Sequence, residues 1–254
     1  MINRPKITIL ITCFNSEAVI RPCLESASWA DEVFVVDSFS TDSTVDIVKE
    51  FGFRLVQHEY LCAADQKNWA ISQASHEWVL ILDSDERCTP DLRAEIEDRT
   101  NDPKGYAGFW IQRLNHVFGK PMKYDPDWQL RLFLRDKGRY GDRIIHEQAY
   151  VDGPDGRLKN PILHFGQREI DQIIEVTGRY SISEAKQRDM RGVKFRSWHL
   201  FVMPVGIFVR RYLFQRQFVN GKEGFFMCAF FAWYYFLTYA RLWQIQKHSE
   251  SDSK

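Results

Sequence analysis

The stretch Trp78-Val79-Leu80-Ile81-Leu82-Asp83-Ser84-Asp85-Glu86 decides how the rest of the chain is read. Its apolar run is uninterrupted, as in a strand buried on both faces rather than one. It then stops on two carboxylates flanking one small residue. Such a pair at the end of a buried strand can reach a hard divalent cation, Mg²⁺ or Mn²⁺, which takes oxygen ligands and keeps positions open for a substrate phosphate. The same residues also suit a solvated turn ahead of a helix starting near Asp91.

Upstream, strand and helix patterns alternate. Ile7 to Thr12 is a β-branched and apolar run, and Ser16 to Trp29 carries Val19, Ile20, Leu24 and Ala27 at helical spacing. Glu32 to Val36 predicts a second strand, and Ser40 to Phe51 a second helix, capped by Ser40 or Thr41 and closed by Gly52. Phe53 to Val56 and Ala63 to Ala74 predict a third strand and a third helix. Strands joined by helices pair in parallel with right-handed crossovers, which gives a three-layer α/β sheet. Ligands of such sheets sit beyond the carboxyl ends of the strands, so Asn15, Asp37, Asp83 and Asp85 should share one crevice. The chain has no GxGxxG after the first strand and no GxxxxGK[ST], which disfavours a dinucleotide dehydrogenase and a P-loop NTPase.

From Tyr106 to His164 shorter strand-like pieces with Gly and Pro punctuation predict mixed or antiparallel additions. Ile170 to Arg191 predicts a helix. The expected division is a catalytic domain over 1–168, with a nucleotide-binding half (1–100) and an acceptor half (101–168). A helical, basic and aromatic region over 169–247 and a disordered tail over 248–254 follow.

The formal net charge is zero, with 34 basic and 34 acidic residues, but it is unevenly spread. Arg179 to Lys247 holds twelve Lys/Arg against three Asp/Glu, leaving 22 basic and 31 acidic groups elsewhere. An acidic body with a basic, aromatic end suggests a soluble domain held at an anionic surface; no nucleic-acid partner is expected. Five cysteines without a CxxC pair suit a reducing cytoplasm. The apolar run after MINRPK is too short for a signal-peptide core and is read as the first strand.

The motifs ITCFNSE (11–17), VVDSFSTDST (35–44), ADQKNWAI (64–71) and LDSDE (82–86) resemble the nucleotide-binding half of glycosyltransferase family 2, with its GT-A fold. GFWIQRLNHVFGKPMKY (108–124), PDWQLRLF (126–133), IIHEQ (144–148), LHFG (163–166) and the aromatic C-terminal segment resemble the lipopolysaccharide inner-core β-1,4-glucosyltransferases of the WaaE/KdtX group. The similarity extends to about Gln246. It implies that Thr12 and Asn15 line the nucleotide crevice, with Glu17 near the ribose and Asp37 at the uracil ring. Ser38 and Ser84 belong to the same crevice, and Lys67 and Asn68 approach the base or diphosphate. Asp83 and Asp85 match the DxD metal motif. The family's usual glycine after Ser38 is Phe39 here, a departure that bears on the local turn.

The resemblance also places His146-Glu147 where related enzymes carry an acidic catalytic motif. Glu147 is then the base that takes the acceptor's proton, with His146 orienting it or contacting the acceptor; the alternative is an edge-strand ion pair of Glu147 with Arg143 or Arg131. His164 completes a metal shell, contacts the diphosphate, or is a core or hydrogen-bonded histidine. Arg131, with Arg135, Arg139 and Arg143, either binds an anionic acceptor or forms a solvated basic face. Trp128 either stacks on a sugar or packs the core.

Gly224 to Ala240 is uncharged and dense in Phe, Trp and Tyr, but short of the roughly 20 residues of a spanning helix. Trp198 to Val209 is also uncharged, contains Pro204 and runs into Arg210-Arg211. Both read as helices lying in a headgroup region, against the alternative of a helical pair packed on the catalytic domain or a dimer interface. Taken together, the resemblance implies an inverting enzyme that moves a hexose, glucose from UDP-glucose, to a heptose of the lipopolysaccharide core at the cytoplasmic face of the inner membrane. The alternatives are a relative acting on a capsule, protein or polyprenyl-phosphate acceptor, or a silent binding protein of the same fold.

Overall fold

The computed structural model describes residues 4–125, 127–141, 148–167 and 169–251. Its first half realises the predicted alternation. The strands are β1 (Ile7–Cys13), β2 (Glu32–Asp37), β3 (Arg54–Gln57) and β4 (Trp78–Asp83), and the helices between them are α1 (Ile20–Ala27), α2 (Thr44–Glu50) and α3 (Ala63–Gln73). β5 (Glu86–Cys88) and α4 (Pro90–Asn101) follow, with Thr89 capping α4 by accepting the Leu92 amide at 3.2 Å.

The second half adds β6 (Gly108–Val117), β7 (Lys120–Pro121), β8 (Trp128–Leu134), β9 (Gly138–Tyr140), β10 (Ala149–Val151), β11 (Asp155–Arg157) and β12 (Ile162–Gln167). The main sheet runs β3-β2-β1-β4-β8-β6-β12-β5. β1 to β4 are mutually parallel where they pair, while β8 is antiparallel to both β4 and β6. This is the mixed α/β sheet of a GT-A fold.

Period-two alternation divides the strand residues between two cores. Ile7, Ile9, Ile11, Val33, Val35 and Leu80 pack with Leu24 of α1, Val48 of α2 and Ile96 of α4. Leu10, Phe34, Val36, Val79 and Ile81 face the other way, onto Ala70 and Ile71 of α3 and onto Tyr140 of β9. Helices on both faces explain why these strands are apolar throughout.

Two helices begin later than their patterns suggest. α1 starts at Ile20, because the Ser16 carbonyl accepts from Val19 and Ile20 in a preceding turn. α2 starts at Thr44 rather than Ser40, and neither Ser40 nor Thr41 caps it: their side chains serve the crevice.

The chain forms two compact units, Met1–Leu114 with Pro126–Gly166, and Asn115–Asp125 with Gln167–Lys254. The β6-β7 turn thus groups with the C-terminal helices, which a linear boundary at 168 does not anticipate. Val117 and Met122 pack with Ile173 and Met227, and Arg211 donates to Asp125 at 3.2 Å. The second unit contains α5 (Ile170–Met190), α6 (Val202–Val209) and α7 (Gly221–Ser251). α5 and α7 pack through Ala185, Tyr239 and Leu242, and Arg188 donates to the Tyr239 hydroxyl at 2.6 Å. α7 runs through residues 248–251, where a disordered tail was expected, since no glycine or proline interrupts it after Gly224. Among the described residues no helix is long and apolar enough to cross a membrane.

Candidate active site

In the order β3-β2-β1-β4 successive strands are added on one side of β1 and then, with β4, on the other, so the switch point where a ligand crevice belongs lies beyond the carboxyl ends of β1 and β4. Thr12, half-buried, lies level with Val36 on one side and Asp83 on the other. Beyond it the backbone of Asn15 is left-handed (φ 45°), a conformation that Asn tolerates better than most residues. Its amide donates to the Ser40 hydroxyl at 2.8 Å, and its side-chain oxygen accepts the Thr41 amide at 2.8 Å. Glu17 accepts the Ser43 amide at 3.0 Å. The hydroxyls of Ser16 and Ser84 meet at 2.9 Å, joining the two edges of the crevice.

Asp37 is fully buried, and its carboxylate accepts the Ser40 amide and the Gln57 side chain, each at 2.9 Å, as well as the Ser40 hydroxyl. It therefore organises the 38–43 loop from beneath, where direct contact with a base was expected. Ser38 accepts from buried Gln66 at 2.6 Å. Phe39, at the family's glycine position, keeps the left-handed backbone (φ 59°) and turns its ring outward, 55% exposed. The turn survives the departure at the cost of local strain.

Below the crevice lies a buried ion network. Asp83 accepts from Lys67 at 3.1 Å and from Arg131 at 2.7 Å. The same Arg131 nitrogen donates to Glu86 at 2.9 Å, and Glu86 in turn accepts the Asp83 amide at 2.9 Å. Arg113 continues the chain, 3.5 Å from Glu86 and 2.7 Å from Asp127. Burial by itself would raise the Asp83 carboxyl, but Arg131 and Lys67 hold it well below the usual carboxylate range. At Glu86 burial wins over Arg131 and pushes the carboxyl up.

Several of the expected site residues sit as follows. Arg131, expected on the acceptor side, is only 4% exposed and is committed to Asp83 and Glu86. Lys67, expected near the base or diphosphate, is equally buried against Asp83. Asn68 makes two hydrogen bonds with the Tyr140 backbone, donating at 2.9 Å and accepting at 2.7 Å, so it docks α3 onto β9. Trp128 is half-buried under the Arg157 guanidinium, 4.9 Å from its ring centre. His146 and Glu147 lie outside the described residues.

Asp85 is the less encumbered member of the acidic pair. Its carboxylate lies 3.4 Å from His164 Nε2, with β12 antiparallel to β5 bringing the two together. Gly166 keeps the space beside them open: a Cβ there would stand 2.5 Å from His164 Nε2 and 2.6 Å from Asp85 Oδ2. One carboxylate oxygen and one imidazole nitrogen suit Mn²⁺ or Mg²⁺ with the remaining positions left to phosphate and water. Among the described residues no three His, Cys, Asp or Glu side chains gather into a complete shell, and Asp83 is already neutralised by two cations.

Glu86, Arg113, Gln66 and Gly166 were not singled out from the sequence. Glu86 adjoins the acidic pair, but only the β8 and β6 pairings reveal that it is buried with Arg131 and Arg113. Gly166 lies in a quoted motif, though its role depends on what faces it across the sheet.

The fold is that of a glycosyltransferase, and sequence similarity fixes the family. The family model "Glycosyl transferase family 2" matches residues 8–153, and the chain belongs to that family. It is 30% identical to the lipopolysaccharide core biosynthesis glycosyltransferase LpsC of Rhizobium meliloti, over 96% of this chain and 94% of that protein. An uncharacterized glycosyltransferase of Rickettsia typhi is 28% identical, over 97% and 89%. Among solved structures, a mannosyltransferase from Pyrobaculum calidifontis, crystallised with GDP-Man and Mn²⁺, shares the fold. Its TM-score is 0.58 at 14% identity, over 96% of this chain and 88% of that one.

Proposed function

We propose that this glycosyltransferase is an inverting, metal-assisted hexosyltransferase that moves glucose from UDP-glucose to a heptose of the lipopolysaccharide inner core. It works at the cytoplasmic face of the inner membrane, held there peripherally by its C-terminal helices. The observation that carries the reading is the end-to-end similarity to a lipopolysaccharide core biosynthesis glycosyltransferase.

Asp85 and His164 would hold Mn²⁺ or Mg²⁺ beside Gly166. Bound there, the ion neutralises charge developing on the departing diphosphate. Thr12, Asn15, Ser38 and Ser84 face the donor from the strand ends, beside the 38–43 loop that Asp37 and Glu17 keep in place. Asp83, Lys67, Arg131 and Glu86 act from below by fixing the β4-β5 turn that presents Asp85. Glu147 takes the proton from the acceptor hydroxyl as it attacks the anomeric carbon opposite the leaving group.

The test is mass spectrometry of the lipopolysaccharide core from a deletion strain, with transfer assayed on that truncated core using a panel of nucleotide sugars. Loss of one hexose and everything outward of it, restored by UDP-glucose and the purified protein, supports the reading. An unchanged core overturns it.

A further inference from the structure

We infer that α6 and the π-helical turn after it (Arg210–Phe214) form an insertion wedge for the surface of an anionic phospholipid bilayer. Resting on the membrane part of the reading above, this assigns the contact to one face and removes it from the longer aromatic run over 224–240. Much of that run is spent within the second unit. Cys228 and Thr238 are fully buried, Tyr239 nearly so, and Gly224 brings α7 so close to the Gln217 carbonyl that a Cβ would meet it at 2.0 Å.

α6 is apolar on both sides, but among the described residues only one side is packed against protein. Phe208 and Tyr212 stack on each other and meet Phe225 edge-on at 5.5 and 5.9 Å, and Met203 packs beside Tyr239 and Leu242. On the other side Val202, Val205, Val209 and Leu213 recur every three or four residues, with Phe201 beside the first and Phe214 beside the last. Phe201 is 70% exposed, Val205 63% and Phe214 80%. A helix with apolar character all round is normally buried; left in water, this face marks a contact surface.

Charge identifies the occupant. Residues 190–222 contain seven Lys/Arg and no Asp or Glu. Arg210 and Arg216 are exposed at the end of the wedge, while Arg211 is engaged with Asp125. A second copy docking on this face would set these cations against their like without a compensating acid. An anionic headgroup layer answers both the charge and the apolar stripe. The eight residues of α6 are far too few to cross a bilayer, so the wedge lies in the plane of the interface.

The full chain should co-sediment with vesicles of phosphatidylglycerol and phosphatidylethanolamine (1:3) and far less with phosphatidylcholine alone. The double variant V205E/L213E should weaken that binding at least tenfold. R210E/R216E should weaken it on the anionic vesicles and flatten its salt dependence, whereas V205L and F236E should stay within twofold of the parent. UDP affinity, measured on each variant, should not change; it reports folding and donor binding separately from the lipid contact. Unchanged vesicle binding by V205E/L213E, or loss of binding by F236E in its place, overturns the assignment. So does a dimer in light scattering that V205E/L213E dissociates without any effect on vesicle binding.

Discussion

Arg131 Nη2 stands 2.9 Å from Glu86, a side chain with no exposed surface, and the same nitrogen serves Asp83 at 2.7 Å. Taking away one partner of a buried ion pair is far worse than never having built it, because the remaining charge stays out of water. Arg131→Met therefore strands Glu86 and weakens the hold on Asp83, and should cost about 3–5 kcal/mol. Lys49→Ala, in an exposed pair with Asp46, should leave the urea midpoint in place. Equal midpoints for the two variants would remove the network from the account of stability.

Gly166→Ala tests the space beside Asp85 and His164. The added methyl would meet both side chains at about 2.5–2.6 Å, so one must swing away. Displacing a group that orients a metal ligand typically costs about 10–100-fold in affinity or activity. We expect a loss of that size in kcat/KM, a weaker Mn²⁺ dependence of UDP binding, and little change in thermal unfolding. Normal kinetics with an unshifted Mn²⁺ titration would mean that the ion binds elsewhere.

How much of this was legible in the sequence depended on distance along the chain. Ile7 to Asp85 could be read because each strand is a short apolar run and each crevice residue follows its own strand end. The roles of Lys67, Asn68 and Arg131 could not. Lys67 and Asn68 meet Asp83 and Tyr140 from α3, and Arg131 reaches Asp83 from β8, 48 residues onward. A buried arginine and a solvated one look the same in a sequence until the strand pairing is known. The run 224–240 left two readings open for a related reason: aromatic composition alone does not distinguish a face packed on α5 from a face left bare.

Asn68→Ala separates docking from donor binding. The two hydrogen bonds to Tyr140 are local to the contact between α3 and β9, and each is worth roughly 0.5–1.5 kcal/mol. A loss of about 1–3 kcal/mol in denaturant unfolding, with UDP affinity within twofold of the parent, is the expected pattern. A large fall in UDP affinity at unchanged stability would return Asn68 to the nucleotide.

Acid sensitivity should arise partly at Glu32, far from the crevice end of β2. Burial opposes its ionisation, but the Thr8 hydroxyl at 2.7 Å, the Ser75 amide and hydroxyl at 2.8 and 2.7 Å, and Arg54 at 2.9 Å outweigh it. Together they pull the carboxyl from its ordinary 4.5 down to about 2. A carboxyl with a depressed folded value stabilises the fold fully above its unfolded value, and that contribution fades as the pH falls through the folded one. Unfolding free energy measured in urea should therefore drop between about pH 4.5 and 2. Glu32→Gln removes the ionisable group while keeping its shape, so it should be less stable than the parent at pH 7 and show a shallower acid limb. Parallel pH profiles for the two proteins would place the acid-labile carboxylates elsewhere, with Asp31 the next to test, since its carboxyl is also lowered by the Ile7 amide and Arg4 against the opposing effect of burial.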